Sequence, residues 1–204
     1  MKKMFLASSF KDVANVFETF AGEVKGKTVT FIPTASVVEK VDFFVKSGKK
    51  ALEKMGLIID ELEVSTATTD EITKKLTQND YIYITGGNTF FLLQELRKSG
   101  ADKIIAEQIE LGKIYIGESA GSIVISPNIE YANALDSVKK APELASMDGL
   151  RIVEFYPVPH HTNAPFKKAV EKIIATYGEA LKLIPISNHQ PILMENDDVR
   201  IESV

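Results

Sequence analysis

Short apolar runs alternate with longer amphipathic segments along the first half of this chain. The runs are rich in β-branched and aromatic residues and nearly continuous, which is typical of strands buried on both faces of a parallel sheet. The predicted strands are Met4 to Ser8, Thr28 to Pro33, Leu57 to Val64, Tyr81 to Thr85 and Ile114 to Gly117.

Between these runs, apolar residues recur every three or four positions, as they do on one face of a helix. The predicted helices are Val13 to Ala21, Val37 to Met55, Thr69 to Leu76, Thr89 to Ser99 and Ile104 to Leu111. The alternation predicts an α/β fold with a doubly wound, mostly parallel sheet and helices on both faces.

The pattern changes in the second half of the chain. A mixed polar segment, Asn128 to Gly149, interrupts the alternation, and active-site loops are common in such interruptions. The predicted elements after it are a strand at Leu150 to Val158, a helix at Pro165 to Tyr177, and strands at Leu181 to Ile186, Pro191 to Glu195 and Val199 to Val204. The last two strands are expected to form a C-terminal β-hairpin. We expect one domain over residues 1–204, because this length and a hydrophobic content of 45% suit a single core.

Composition excludes several classes of function. The net charge is −4 and the lysines and arginines are scattered, which argues against a nucleic-acid partner. No apolar run approaches the roughly 20 residues of a membrane span, so no membrane partner is expected. The chain has no cysteine, so it has no cysteine nucleophile and no disulfide, which suits a reducing cytoplasm. We predict a cytoplasmic protein that is a monomer or a homodimer.

A G-x-S-x-G sequence, Gly117 to Gly121, stands between two apolar runs. A serine attacks well when a sharp strand-to-helix turn lifts its hydroxyl out of the sheet, and glycines allow that turn to close. Ser119 is therefore the candidate nucleophile. The pentapeptide is short, however, and an ordinary turn of small residues is the alternative.

A second glycine turn, Gly86-Gly87, follows the fourth predicted strand and precedes a helix. Unobstructed backbone N–H groups at a helix N-terminus can stabilise a negatively charged oxygen. The alternative is a capped turn with Asn88 or Thr89 at the N-cap, and the turn could serve both purposes.

Histidine is scarce in this chain, with residues at 160, 161 and 189 only. His160 and His161 are adjacent at the end of a predicted strand, so only one of them can easily face Ser119. A metal site is not expected, because neither the spacing nor a carboxylate cluster supports one, and no cofactor is predicted.

Three ordered segments, ITGGNTF, GESAGS and PHHTN, resemble those of the peptidase E family of aspartyl dipeptidases and their cyanophycinase relatives. The resemblance implies a fold similar to class I glutamine amidotransferases, with serine in place of cysteine. It further implies that Ser119 is the nucleophile and His160 the general base, with the N–H groups of Gly87 and Ala120 as the oxyanion hole.

The resemblance leaves the acid of the triad open. The ungapped equivalent of the dipeptidase aspartate is Ala134, so Asp136 takes the role with a shift of two residues. Weaker candidates are Glu130, Asp148 and Glu118, and Asn188 stands where many relatives have an acidic residue.

Four residues are expected to bind substrate: Gly86, Asn88, Thr162 and Asn163. The last two could instead cap the next helix. The segment Ala164 to Glu171 lacks the arginine with which the dipeptidases hold an N-terminal aspartate, so aspartyl specificity does not follow.

The sequence thus predicts a serine-type hydrolase of short peptides, with dipeptidase activity as the expectation. An esterase is a weaker interpretation, since α/β-hydrolases usually place the serine and the histidine much further apart in sequence. The alternative from another class is a catalytically silent relative that binds a peptide or amino acid, because the acid is not secured.

Overall fold

The computed structural model describes residues 1–204 and has a central sheet of seven strands in the order β3-β2-β4-β5-β1-β8-β9. Its first five strands in sequence run parallel, and the last two add an antiparallel hairpin beside β1. These strands are β1 (Lys3–Ala7), β2 (Thr28–Ile32), β3 (Ile58–Glu61), β4 (Tyr81–Ile84), β5 (Ile114–Glu118), β8 (Ile192–Glu195) and β9 (Asp198–Ile201). A separate parallel pair consists of β6 (Tyr156–Val158) and β7 (Leu183–Pro185).

Helices cover both faces of the large sheet. Their bounds are α1 (Ala14–Ala21), α2 (Phe43–Lys54), α3 (Thr69–Gln78), α4 (Thr89–Ser99), α5 (Ala101–Glu110), α6 (Ala120–Ile123) and α7 (Lys167–Tyr177). Residues of α1 and α2 belong to one buried apolar cluster, and residues of α3 to α7 to the other. The predicted α/β fold with helices on both faces is confirmed, as is the C-terminal hairpin.

Alternating strand positions explain how one sheet supports two cores. In β1, Met4 and Leu6 face the larger cluster, whereas Phe5 and Ala7 face the smaller one. All four are buried, because successive side chains of a strand point to opposite faces and both faces are covered. The nearly continuous apolar runs of the sequence reflect this double burial.

Helix α2 begins six residues later than predicted. The sequence pattern extended this helix back to Val37, but residues 34–36 form a short 3₁₀ turn and the helix starts at Phe43. Val37 and Val41 are exposed, so no burial of an apolar face stabilises a helix there.

The predicted strand from Leu150 to Val158 is mostly irregular. Only its last three residues form β6, and the N–H groups of Leu150 and Ile152 donate to Val124 and Ile125 instead of to a sheet. This segment packs against the chain that follows α6, so its apolar residues are buried without sheet pairing.

The carboxyl ends of β4, β5 and β1 lie side by side in the sheet. Ligands of open parallel sheets bind at this edge, and both glycine turns are found there. None of the helices is long and apolar enough to cross a membrane.

Candidate active site

Ser119 lies on a sharp turn between β5 and α6. Its backbone has φ 50° and ψ −104°, a conformation that non-glycine residues rarely adopt. The turn is fixed by the Ser119 N–H, which donates to the Ala7 carbonyl at 2.8 Å. It is also closely packed, since a Cβ on Gly117 would come within 2.6 Å of the Gly121 carbonyl oxygen. Small residues on both sides are therefore required by the packing of this elbow.

The Ser119 hydroxyl is hydrogen-bonded to His160 and not to His161. Ser119 Oγ is 3.0 Å from His160 Nε2, and His160 Nδ1 is 3.0 Å from Asn188 Oδ1. Asn188 Oδ1 can only accept, so Nδ1 carries the proton and Nε2 is left free to accept from the serine. The three side chains form one continuous line of hydrogen bonds.

The backbone of His160 is held from β1. Its φ is 65°, and its N–H donates to Ser8 Oγ at 2.9 Å. The buried Ser8 hydroxyl in turn donates to the Ile186 carbonyl at 3.0 Å. On its other side the imidazole stacks on Phe166, with ring centroids 4.6 Å apart. Sequence analysis missed both supports, because neither Ser8 nor Phe166 stands in a motif.

Asn188 is fixed by Asn163. The Asn188 N–H donates to Asn163 Oδ1 at 2.9 Å, and the Asn163 N–H donates to the His160 carbonyl at 3.0 Å. Asn163 thus joins the two segments that carry His160 and Asn188. It does not cap the next helix, since α7 begins at Lys167 with Phe166 at its N-cap, and Thr162 is exposed, with its hydroxyl bonded to the His161 carbonyl.

The structure corrects the expectation that Asp136 orients the histidine. Asp136 Oδ2 accepts from the Thr89 N–H at 3.0 Å and from Thr89 Oγ1 at 2.6 Å. This carboxylate therefore binds the N-terminus of α4, where the helix dipole favours negative charge. Burial raises its pKa to about 6, against the effect of the Thr89 hydrogen bonds.

None of the three weaker acid candidates is the partner of His160 Nδ1. The carboxylate of Glu118 accepts from the Phe10 N–H at 2.8 Å and from the Tyr83 hydroxyl at 2.7 Å. Asp148 pairs with Arg151 at 2.7 Å, and Glu130 is exposed. The partner of His160 is Asn188. The signal that could have identified it was its position, since Asn188 stands where many relatives have an acidic residue. Spacing from Ser119 could not reveal this partner.

The Gly86-Gly87 turn lies directly beside Ser119. A Cβ on Gly86 would be 3.2 Å from Ser119 Cβ, and one on Gly87, whose φ is 135°, would overlap the Ala35 backbone. The Gly87 N–H makes no hydrogen bond within the protein. As the first residue of α6, Ala120 has no intrahelical acceptor for its N–H.

Asn88 is the N-cap of α4 and is buried. Its Oδ1 accepts from the Phe91 N–H at 2.9 Å, and its Nδ2 donates to the Ser137 carbonyl at 3.1 Å. Both polar atoms of the side chain have partners inside the protein. The expectation that Asn88 binds substrate is therefore corrected to a structural role as helix cap.

The electrostatic environment of His160 is simple. Burial lowers its pKa, and the hydrogen bond to Asn188 opposes that effect, while no ionised side chain contributes. The imidazole is consequently neutral at neutral pH, as a general base must be. No group of three or more histidine, aspartate or glutamate side chains is arranged to hold a metal ion.

An open α/β sheet with a serine on a strand-to-helix elbow and a neutral histidine at hydrogen-bonding distance defines a serine hydrolase. Comparison with known proteins makes the class specific. The sequence model that describes peptidase family S51 matches residues 4–202, and the chain belongs to this family of serine peptidases.

Relatives and solved structures agree with this assignment. The chain is 56% identical to an uncharacterized peptidase of Listeria innocua over 98% of this chain and 95% of that protein. It is 34% identical to peptidase E of Haemophilus influenzae over 65% of this chain and 63% of that protein. A solved structure of a protein assigned to peptidase E from Listeria monocytogenes superposes with a TM-score of 0.96 at 52% identity, covering 100% of this chain and 99% of that chain.

Proposed function

We propose that the protein hydrolyses amide bonds of short peptides through an acyl-enzyme, with Ser119 as nucleophile and His160 as general base. The observation that carries the proposal is the line of hydrogen bonds from Ser119 Oγ through both ring nitrogens of His160 to Asn188 Oδ1, each 3.0 Å long. Asn188 acts in this scheme as a positioning residue, because its side chain contacts the base His160 and not Ser119.

The proposed reaction has two halves. Ser119 Oγ attacks the carbonyl carbon while its proton passes to His160 Nε2, and the carbonyl oxygen accepts from the N–H groups of Gly87 and Ala120. His160 then gives the proton to the leaving amine as the C–N bond breaks. Water attacks the ester in the same way, and the acid and free Ser119 are released.

Asn188 makes this relay electrically neutral. Its amide oxygen selects the productive tautomer of His160, as a carboxylate would, but adds no negative charge to stabilise the imidazolium that forms during attack. We therefore expect slower chemistry than a Ser-His-Asp arrangement gives, with the base effective at lower pH.

A second candidate function, a silent binder of peptides or amino acids, is favoured by the same residue. The hydrolase is supported by a partnered, correctly oriented histidine, whereas the binder is supported by the missing carboxylate.

The proposed substrate class is dipeptides or other short peptides, by analogy with relatives that bear the name peptidase E. Cytoplasmic action and a monomeric or homodimeric state also remain proposals, which cell fractionation and sedimentation would test.

The experiment is hydrolysis of a panel of dipeptides and aminoacyl amides, with released amines followed by mass spectrometry. We expect turnover that is lost in Ser119→Ala and retained in Ser9→Ala. Ser9 is the matched control because it follows Ser8 directly in sequence and its side chain makes no cap hydrogen bond. Absence of turnover in the wild type, together with tight binding of one panel member, would favour the binder.

A further inference from the structure

An apolar surface that the proposed chemistry does not use lies on the segment that leads from β2 into the first turn of α2. We define the apolar wall as Val37, Val41, Phe43 and Phe44. Val37, Val41 and Phe43 are 54%, 55% and 65% exposed and account for three of the nine large apolar residues exposed on the whole chain. Scattered exposed apolar residues are ordinary, but a cluster in one short segment marks a contact surface.

The apolar wall reaches the nucleophile. A Cβ placed on Gly86 would lie 3.2 Å from Ser119 Cβ and 3.7 Å from the ring of Phe44. Phe44 belongs to the stripe of α2 that continues with Gly48 and Leu52, and this stripe packs on the sheet beside the elbow. Phe43 packs edge-on against Phe44, with ring centroids 5.7 Å apart, and faces outward. The two rings therefore extend from the elbow to the protein surface.

The segment is anchored at its first end and in its middle. At the first end, the Ala35 carbonyl accepts from the Asn88 N–H at 2.8 Å. In the middle, Glu39 forms an ion pair with Lys140 at 2.7 Å. These contacts hold the segment against the turn that precedes α4 and against residues 138–140.

The wall and the base lie on opposite sides of Ser119. In the sheet, β4 and β1 flank β5 on either side. Ser8, at the end of β1, holds His160, whereas Gly86 and the wall are on the β4 side. The leaving amine must face His160 to receive its proton, so the residue that supplies the acyl group extends towards the wall.

The charges around this side favour an apolar side chain. No ionised group shifts the pKa of His160, and both carboxylates of the wall segment are already paired, Glu39 with Lys140 at 2.7 Å and Asp42 with Lys46 at 3.0 Å. The segment's one unpaired cation, Lys40, is exposed and lacks the bidentate fork that suits a carboxylate, whereas a bulky apolar side chain would cover exposed rings.

We propose that the apolar wall is the binding surface for a bulky apolar side chain on the acyl-donating residue of the substrate. This inference rests on the proposed function and specifies its substrate class: peptides with leucine-, phenylalanine- or methionine-like residues before the cleaved bond.

The test uses diphenyl α-aminoalkylphosphonates that differ only in their side chain, matching alanine, leucine, phenylalanine or aspartate. These probes report attack by Ser119 without requiring later hydrolysis. We expect the leucine and phenylalanine probes to label Ser119 fastest, and the leucine-to-alanine rate ratio to fall about tenfold in Phe43→Ser, because a lost apolar contact changes discrimination by roughly that factor.

Ile58→Ser is the matched control, since Ile58 is also 55% exposed but lies on the edge strand β3. It should leave every labelling rate unchanged. Labelling without preference for apolar probes, or an unchanged ratio in Phe43→Ser, overturns this inference and leaves the hydrolase standing. A dimer that dissociates in Phe43→Ser, with the ratio unchanged, assigns the wall to a second copy of the chain. Absence of any labelling by a small fluorophosphonate overturns the hydrolase and this inference together.

Discussion

The β1 side and the β4 side of the candidate active site are built differently. On the β1 side, Ser8, His160, Asn163 and Asn188 are joined by hydrogen bonds of 2.9 to 3.0 Å. On the β4 side, the apolar wall presents exposed side chains that make no hydrogen bonds. Proton transfer needs fixed geometry, whereas recognition of an apolar group needs only accessible area. We therefore expect substitutions on the polar side to change the rate of the chemical step and substitutions on the apolar side to change substrate choice.

The largest effect is expected at His160. His160→Ala should lower kcat/KM by at least about a thousandfold, because the general base and its oriented hydrogen bond to Ser119 are both lost. His161→Ala is the matched control, and we expect it to stay within about twofold of the wild type. Steady-state kinetics on the best panel substrate makes the comparison, and equal losses in the two variants would contradict the assignment of the base.

Glu118, the residue before Ser119, should make the free energy of unfolding depend on pH. Burial raises the pKa of Glu118 from the usual 4.5 to about 7. A raised folded-state pKa means that its contribution to stability is present below pH 4.5 and is lost as pH rises through 7. Across that range the free energy of unfolding should fall by about 3 kcal/mol from this group.

Urea unfolding at several pH values checks this prediction. Glu118→Gln should reduce the fall, while the portion due to Asp136, whose pKa is also raised, should remain and be removed by Asp136→Asn. A Glu118→Gln protein with the same pH dependence as the wild type would show that Glu118 is not the titrating group.

Asn188 should affect kcat more than KM. Asn188→Ala removes the acceptor that selects the tautomer of His160, and we expect kcat to fall by about a hundredfold, within the range that general-base catalysis supplies. Single-turnover measurements separate acylation from binding. A change confined to KM would mean that Asn188 contacts substrate instead of orienting the base.

The smallest expected effect is a shift of the pH profile. Because burial lowers the pKa of His160, the acid limb of wild-type kcat/KM should lie below pH 6.5. Asn188→Asp adds a negative charge beside the imidazole, which should raise that pKa and move the limb upward by about one unit. A profile that does not move between the two proteins would contradict the contact between residue 188 and His160.

Local patterns predicted the strands and the elbow because burial on both faces and the close approach of Gly117 to Gly121 leave direct marks in sequence. The partner of His160 left no such mark. Asn188 reaches the site through β7 and Asn163, so its place depends on long-range packing. Asp136 was a misleading candidate because its spacing from Ser119 is within two residues of that of the dipeptidase aspartate, whereas its carboxylate binds Thr89 at the N-terminus of α4. Only the predicted start of α2, at Val37, was wrong: Val37 and Val41 have helical spacing but face solvent, and the helix begins at Phe43.

Intact-mass analysis after reaction with a small fluorophosphonate tests whether Ser119 is a nucleophile activated by His160. We expect one adduct per chain, mapped to Ser119 by peptide sequencing, absent in Ser119→Ala and formed at least about a hundredfold more slowly in His160→Ala. No adduct, or an adduct at another serine that forms equally fast in all three proteins, would contradict a nucleophile activated by His160.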